Sequence, residues 1–315
     1  MDFSRCKLYE VKTKKQLSRI LAIKDTRFFK QSFCIENITP YLIVGINHKN
    51  RLVESSTPQL KKIQTRIKNL LQDIPVEPYV FSGIKGVSYT DNASYHKESS
   101  AYLFKTDITG FFPSITRNSV YHFFHDALKM SPDTANIITN LLTIDLLQVH
   151  HVNIEECFEF LDCKGITCTN HLLTGSPAST ILSYLVNYQL FETLFENAKK
   201  LSINMTVYID DLSFSSKSKI PHYFRKNTLH LLRKNGFTPS MKKTKYYGET
   251  NAKLVTGVVI SKNEMKVPNK LRRKILDSYA DYSANDIKSA QIAKGVLNSA
   301  RQIEPNIFPT LVFKQ

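Results

Sequence analysis

Residues 204–216, NMTVYIDDLSFSS, alternate between apolar and polar positions on either side of an acidic pair, which predicts a β-hairpin with two acids at its bend. AYLFKTDI at 101–108 is a short, strongly apolar run that ends on a single carboxylate, the pattern of a buried strand delivering Asp107 to its tip. YLIVGI at 41–46, followed by NHKNRLVES, predicts a second hairpin with a polar tip, and KLVTGVVIS at 253–261 predicts one further strand. Elsewhere the spacing is helical. Residues 1–35 predict a basic helix with Leu8, Val11, Leu17, Ile20 and Leu21 roughly on one face. In PQLKKIQTRIKNLL at 58–71, Leu60, Ile63, Ile67 and Leu70/Leu71 recur at helical spacing while Lys61, Lys62, Arg66 and Lys68 fill the other positions. Helices are also expected after Pro113, from Ser179 to Lys200, from Tyr223 to Asn235, and past residue 262. Strands and helices interleave without a regular βαβ rhythm, so the expected class is α+β.

Composition narrows the partner. The 315 residues carry 43 Lys and Arg against 27 Asp and Glu, a net charge of +16, with an ordinary hydrophobic fraction of 42%. Such an excess on a globular chain points to a polyanion, because each cation that meets a phosphate releases condensed counterions. The five cysteines include no C-x-x-C pair, and Cys157, Cys163 and Cys168, six and five residues apart, read as packing thiols ahead of a zinc set. No apolar run approaches the length of a membrane span and the start lacks an apolar signal core, so the expectation is a cytoplasmic protein with no membrane partner. A glycine-rich phosphate loop is missing, which removes the Walker-type nucleotide enzymes.

Two adjacent aspartates at a hairpin tip disfavour each other's ionisation, a cost that a cation would relieve. Asp107 ends another apolar strand roughly a hundred positions upstream, and if the strands are neighbours the three carboxylates converge. Hard oxygen ligands suit Mg²⁺, and two such ions about 4 Å apart suit in-line phosphoryl transfer. Taken alone, an Asp-Asp pair is common in surface turns.

Its company changes that reading. Tyr208-Ile209-Asp210-Asp211, together with Asp107-Ile108-Thr109-Gly110-Phe111-Phe112-Pro113-Ser114-Ile115, resembles the polymerase motifs of bacterial reverse transcriptases of the retron class. Leu172-Leu173-Thr174-Gly175-Ser176-Pro177-Ala178-Ser179 resembles that family's Leu-Pro-Gln-Gly-x-Pro-x-Ser motif, and Gly236-Phe237 with Lys242-Lys243-Thr244 resembles the next one. Asn92-Ala93-Ser94-Tyr95-His96 and Val255-Thr256-Gly257 fit the two signatures that set retron enzymes apart from intron-encoded and viral relatives. The resemblance runs from about residue 49 to residue 260.

It implies a right-hand polymerase with fingers, a palm of antiparallel sheet packed on helices, and a helical thumb. The expected division is N-terminal helices and fingers over 1–100, palm over 101–250 with a fingers insertion around 120–175, and palm end with thumb over 251–315. It implies two Mg²⁺ ions held at Asp107, Ile108, Asp210 and Asp211. Further roles follow from the same resemblance: Arg51 on the triphosphate, Phe112 as the gate against a 2′-hydroxyl with Phe111 in the core, and Thr174 and Gly175 at the incoming nucleotide. Lys243 assists pyrophosphate departure, with Lys242 and Lys245 as rivals, and Tyr208 supports the primer end. Asn92, His96, Val255, Thr256, Gly257, Arg272 and Arg273 are expected on RNA, Asn92 and His96 having a structural reading as well. The implied activity is copying part of a structured non-coding RNA, from an RNA 2′-hydroxyl and with dNTPs, into a branched RNA–DNA product (msDNA). The implied setting is anti-phage defence beside a separately encoded effector protein. The alternatives are a reverse transcriptase of another lineage and a catalytically weak RNA-binding scaffold. Against intron origin, 315 residues leave no room for a maturase or endonuclease extension. Departures from the family pattern are Gly110 where an acid is common, Thr174 for glutamine, Ile209 for alanine, Thr180 for proline and Ser240 for asparagine.

Overall fold

In the computed structural model, which describes residues 1–45, 50–152, 154–280 and 287–311, the helix expected over residues 1–35 is broken into pieces. Helix α1 (Lys14–Leu21) starts where the Thr13 hydroxyl accepts from the Gln16 amide, and stops where Ala22 turns left-handed at φ 48°. A 3-10 turn and the short α2 (Gln31–Glu36) follow. The apolar face is helical only in α1; Leu8 and Val11 are buried from irregular chain. Strands β1 (Ile38–Ile43) and β2 (Arg51–Ser56) form the expected hairpin with Ile43 opposite Arg51, and its tip at 46–49 lies outside the described residues. Helix α3 (Pro58–Leu71) buries Leu60, Ile63, Ile67 and Leu71 and exposes Lys61, Lys62 and Arg66, as its spacing predicts.

Helix α4 (Tyr89–Lys97) opens with a reciprocal capping box between Ser88 and Asp91 and leads into β3 (Tyr102–Thr109). The chain then leaves the sheet through α5 (Arg117–His122), α6 (Pro132–Asn140), β4 (Thr143–Asp145), α7 (Ile154–Asp162) and β5 (Asn170–Leu172), with β5 paired to β4. The single helix expected over 179–200 is two, α8 (Ser179–Val186) and α9 (Tyr188–Lys199), because Asn187 leaves helical geometry at φ −111° and ψ 18°.

β6 (Asn204–Tyr208) and β7 (Asp211–Ser216) return to the sheet, followed by α10 (His222–Lys234), β8 (Thr238–Pro239) and β9 (Lys245–Tyr247). The strand order is β6-β7-β3, and β8 and β9 lie one after the other along the free edge of β3. β3 is therefore central, paired along both edges, and residues of both its faces are buried, which is why its sequence reads as a mostly apolar run.

The predicted strand over 253–261 is a hairpin instead. β10 (Lys253–Val255) reverses through Thr256 (φ 41°) and Gly257 (φ 84°) into β11 (Val258–Ser261). Lys262 and Asn263, at φ 50° and 59°, make a second two-residue turn into β12 (Glu264–Lys266). Two consecutive residues at positive φ match the twist of antiparallel strands, and a glycine in the pair reduces the strain. The helices α11 (Asn269–Ala280) and α12 (Ile287–Arg301) end the chain. Buried apolar residues form two clusters. The large one extends from Cys6 to Phe237, and the smaller joins Ala93 and Leu103 to Val255, Val258, Ile260, Ile275, Leu297 and Ile303. Among the described residues no helix is long and apolar enough to cross a membrane.

Candidate active site

The sheet register brings the acids together. Asp107 on β3 is the direct partner of Asp211 on β7, and Tyr208 on β6 also faces Asp211 across a two-residue bend made of Ile209 and Asp210. The Ile108 amide donates to the Asp210 carbonyl at 2.9 Å, tying the bend to the central strand. Ile209 has φ 60°, a left-handed value that a β-branched residue rarely adopts and that costs about 1–3 kcal/mol. Its amide donates to the Ser82 hydroxyl at 2.8 Å, one of the bonds that hold the strained apex.

Two lysines meet these carboxylates. Lys243 Nζ lies 2.7 and 2.8 Å from the oxygens of Asp107, and Lys105 Nζ lies 3.3 Å from Asp211 Oδ2. The turn that carries Lys243 is anchored on β3. The Ser240 amide donates to the Asp107 carbonyl at 2.7 Å, and the Thr244 hydroxyl lies 2.8 Å from that of Thr106. This anchoring separates the three candidate lysines: Lys243 reaches Asp107, whereas Lys242 is exposed and Lys245 sits on β9 opposite Lys105. It also shows that Ser240 acts here through its backbone, so replacing asparagine leaves the anchor in place.

Burial, and then the neighbouring Asp107 charge, push the Asp210 carboxyl up to about 6. Burial likewise raises Asp211 against the pull of Lys105, and Asp211 Oδ1 is buried without a hydrogen-bond partner. Crowded carboxylates with an unsatisfied buried oxygen are a donor set that a hard divalent cation fits. Among the described residues, however, no three acidic, histidine or cysteine side chains stand as a preformed metal cage, and ammonium groups hold Asp107 and Asp211. The convergence expected from sequence is thus a convergence of backbone positions.

Around this centre, Phe111 is buried against Phe191 and Phe237 while Phe112 is partly exposed. Gly110, at φ 55°, sits in a tight left-handed turn that disfavours a larger residue, and a Cβ there would meet the movable tip of the Ile166 side chain at 2.1 Å. Arg51 is exposed at the start of β2. Thr174 does not point its hydroxyl into open cleft: its amide donates to Glu54 Oε2 at 2.8 Å and its hydroxyl accepts from the Glu54 amide at 3.1 Å. Gly175 packs so closely on β2 that a Cβ would stand 2.3 Å from the Glu54 carbonyl.

Several residues expected on RNA are built into the interior instead. His96 is fully buried, with its ring nitrogens 2.7 Å from the Ser215 and Thr206 hydroxyls, and burial pushes its pKa down to about 3. Asn92 is buried and donates to the Thr256 hydroxyl at 3.3 Å; that hydroxyl in turn donates to the Tyr89 carbonyl at 3.0 Å. Val255 is buried too. The side chains of these three are buried, Asn92 and His96 on the inner face of α4 and Val255 in the second core, which agrees with the structural reading of Asn92 and His96. Arg272 is bound to Glu304 at 2.5 Å and to the Val267 carbonyl at 3.1 Å, which leaves Gly257 and Arg273 as the exposed members of the expected set.

Sequence reading missed Lys105, Ser82, Glu54 and His171. Lys105 had a signal, since it lies two residues before Asp107 and so on the same face of the strand. The other three meet their partners only through long-range contacts.

The arrangement, an antiparallel sheet packed on helices with an acidic hairpin beside a third aspartate, is an α+β polymerase architecture. The sequence profile of the family described as reverse transcriptase (RNA-dependent DNA polymerase) matches residues 44–266, and the chain belongs to that family. Family members generally use divalent metal ions. Among similar proteins are the retron Se72 reverse transcriptase of Salmonella heidelberg (strain 579083-10), 23% identical over 73% of this chain and 56% of that protein, and the retron Ec83 reverse transcriptase of Escherichia coli, 25% identical over 81% and 79%. The retron Ec86 reverse transcriptase of Escherichia coli is 26% identical over 71% of this chain and 62% of that protein. The chain therefore spans 56% to 79% of the length of these three relatives.

Proposed function

We propose that the chain is an RNA-templated DNA polymerase of the retron type, with Asp107, Asp210 and Asp211 as the residues that hold two Mg²⁺ ions. The observation that carries this reading is the direct pairing of Asp107 with Asp211 beside the strained Ile209–Asp210 apex. When bound, Mg²⁺ would lower the pKa of the attacking hydroxyl and neutralise the triphosphate. The chain's own residues do the rest. Arg51 presents a charged fork to the triphosphate, Phe112 offers a partly exposed ring to the sugar, and Gly175 lets backbone approach the nascent base pair. Lys243, once released from Asp107, carries a proton within reach of the departing pyrophosphate. Tyr208, one strand pair away from Asp211, supports the primer end.

The product, on this reading, is a branched RNA–DNA hybrid made from a dedicated structured RNA and started at an RNA 2′-hydroxyl, in the cytoplasm, within an anti-phage system that includes a separate effector. Fingers over 1–100, palm over 101–250 with its insertion, and thumb over 251–315 are the matching division, and a second buried core uniting β10–β12 with α11 and α12 supports its last boundary. Exposed Arg273 and its basic neighbours Lys270 and Lys274 would meet RNA phosphates.

Primer extension on an RNA template with Mg²⁺ tests the activity. Incorporation should vanish in Asp210→Asn and Asp211→Asn, and equal incorporation by variant and wild type sinks the assignment. A co-purifying nucleic acid sensitive to both RNase and DNase supports the retron product, whereas bare host RNA counts against it.

A further inference from the structure

Far from the aspartates in sequence, Glu54 and His171 form an ion pair with both side chains fully buried, 2.7 Å from Oε1 to Nε2. The other ring nitrogen, Nδ1, lies 3.1 Å from the Cys168 carbonyl. A carboxylate and a carbonyl only accept, so each ring nitrogen must carry a proton and the ring is an imidazolium. Burial alone would depress the His171 pKa, but the Glu54 charge and hydrogen bond more than offset it and hold it above the ordinary value. Asp145, facing from β4, adds to that pull.

The pair does more than satisfy itself. The second Glu54 oxygen accepts from the Thr174 amide at 2.8 Å and the Thr174 hydroxyl at 3.2 Å. The Glu54 amide donates back to the same hydroxyl at 3.1 Å, and the Glu54 carbonyl fills the space a Gly175 side chain would need. One glutamate thus fastens the Thr174–Gly175 loop to β2, the strand that begins at Arg51.

We propose that Glu54, with His171 as its counter-charge, is a positioning residue for the incoming nucleotide: it sets the Thr174–Gly175 loop relative to the Arg51 strand. The inference rests on the nucleotide-binding reading of this loop.

The test is equilibrium binding of dATP to the wild-type enzyme on an RNA template with a dideoxy-terminated primer, the next template base being uridine, alongside steady-state incorporation. Glu54→Leu should weaken dATP binding and raise its KM about tenfold or more, the scale of a loop displaced by a fraction of an ångström, with kcat within about threefold. Glu54→Gln should stay within about threefold of wild type. Its amide can donate to a neutral His171 and its oxygen can accept from the Thr174 amide, so every hydrogen bond survives. Thr174→Val, which leaves the ion pair intact but removes both hydrogen bonds of the hydroxyl, should weaken dATP binding about three- to tenfold, the scale of one to two lost hydrogen bonds. Affinity for the template–primer should stay unchanged in all three.

Unchanged dATP affinity in Thr174→Val, or in a folded Glu54→Leu, overturns the clamp. So does an equal loss in Glu54→Gln and Glu54→Leu, which would mark the pair as merely structural. A wild type that binds no dATP in this complex would instead sink the polymerase reading on which the clamp rests.

Discussion

Adding one methyl group at Gly175 should cost more than its size suggests. A Cβ there would stand 2.3 Å from the Glu54 carbonyl oxygen and 2.9 Å from the carbonyl carbon, and these are backbone atoms that cannot rotate aside. Loop and strand must part by about 0.7 Å to reach even 3.0 Å, the closest approach such atoms tolerate. That movement stretches the Thr174 amide bond to the buried Glu54 carboxylate from its present 2.8 Å. A hydrogen bond to a buried charge is worth about 1.5–3 kcal/mol, and leaving that charge short of a partner adds to the loss, so Gly175→Ala should lower stability by about 2–4 kcal/mol. Gly110→Ala is the control. Its obstruction is the tip of the Ile166 side chain, which can swing away, so mainly the left-handed φ of 55° remains, a cost of about 1–2 kcal/mol. Urea unfolding of the two variants, with the KM for dNTP measured in parallel, separates them. A Gly175→Ala protein destabilised no more than Gly110→Ala, with an unchanged KM, would refute this account of the loop.

Two further outcomes follow from the site. Because His96 is held neutral with a pKa of about 3 against an ordinary 6.5, the unfolded chain gains its proton first, and stability should fall by about 1.4 kcal/mol per pH unit as pH drops below 6.5. Asp210, raised to about 6, and Asp211, also raised by burial, work in the opposite direction by relieving their own penalties as they protonate, so the measurement belongs in an Asp210→Asn, Asp211→Asn background between pH 7 and about 5, where a flat urea-unfolding profile would contradict the buried neutral ring. Lys243→Met should slow single-nucleotide incorporation about 10²-fold, as loss of a general acid does, while Lys242→Met and Lys245→Met stay within about threefold. Equal losses in all three would mean that the anchoring of the turn on Asp107 does not select among them.

The parts of this protein that were legible in the sequence are those in which local pattern and long-range pairing agree. β3, the β6–β7 hairpin and α3 announce themselves because burial on one or both faces imposes a period on the residues themselves. The helix expected over residues 1–35 failed because a shared apolar face does not say whether the intervening backbone is helical, and Ala22 at φ 48° ends it without a glycine to mark the stop. The strand expected over 253–261 failed because Thr256 accepts a positive φ that glycine or asparagine would have signalled in both positions. Asp107 and Asp211 could be paired by motif, but Glu54 and His171 lie 117 residues apart with no local mark of their partnership. A buried ion pair is invisible until the fold closes around it.

The strings Asn92-Ala93-Ser94-Tyr95-His96 and Val255-Thr256-Gly257 show how a motif can be recognised before its role is legible. Asn92, His96, Val255, Thr256 and Gly257 were expected on RNA, Asn92 and His96 with a structural reading beside it; Asn92 and Thr256 are hydrogen-bonded to each other, and Ala93 and Val255 share the second core. From the next turn of α4, His96 bridges Thr206 on β6 and Ser215 on β7, the strands that lead to and from the acidic bend. A single short helix therefore fastens the acidic hairpin on one side and the C-terminal unit on the other. Replacing Asn92 takes a partner from Thr256, and replacing His96 takes one from Thr206 and Ser215, a penalty of about 1–3 kcal/mol for each group left unsatisfied, which is reason enough for these residue types without any contact to nucleic acid. The requirement they meet is geometric: α4 holds the acidic hairpin and the C-terminal unit in a fixed relation, beside β3, whose Leu103 also enters the second core.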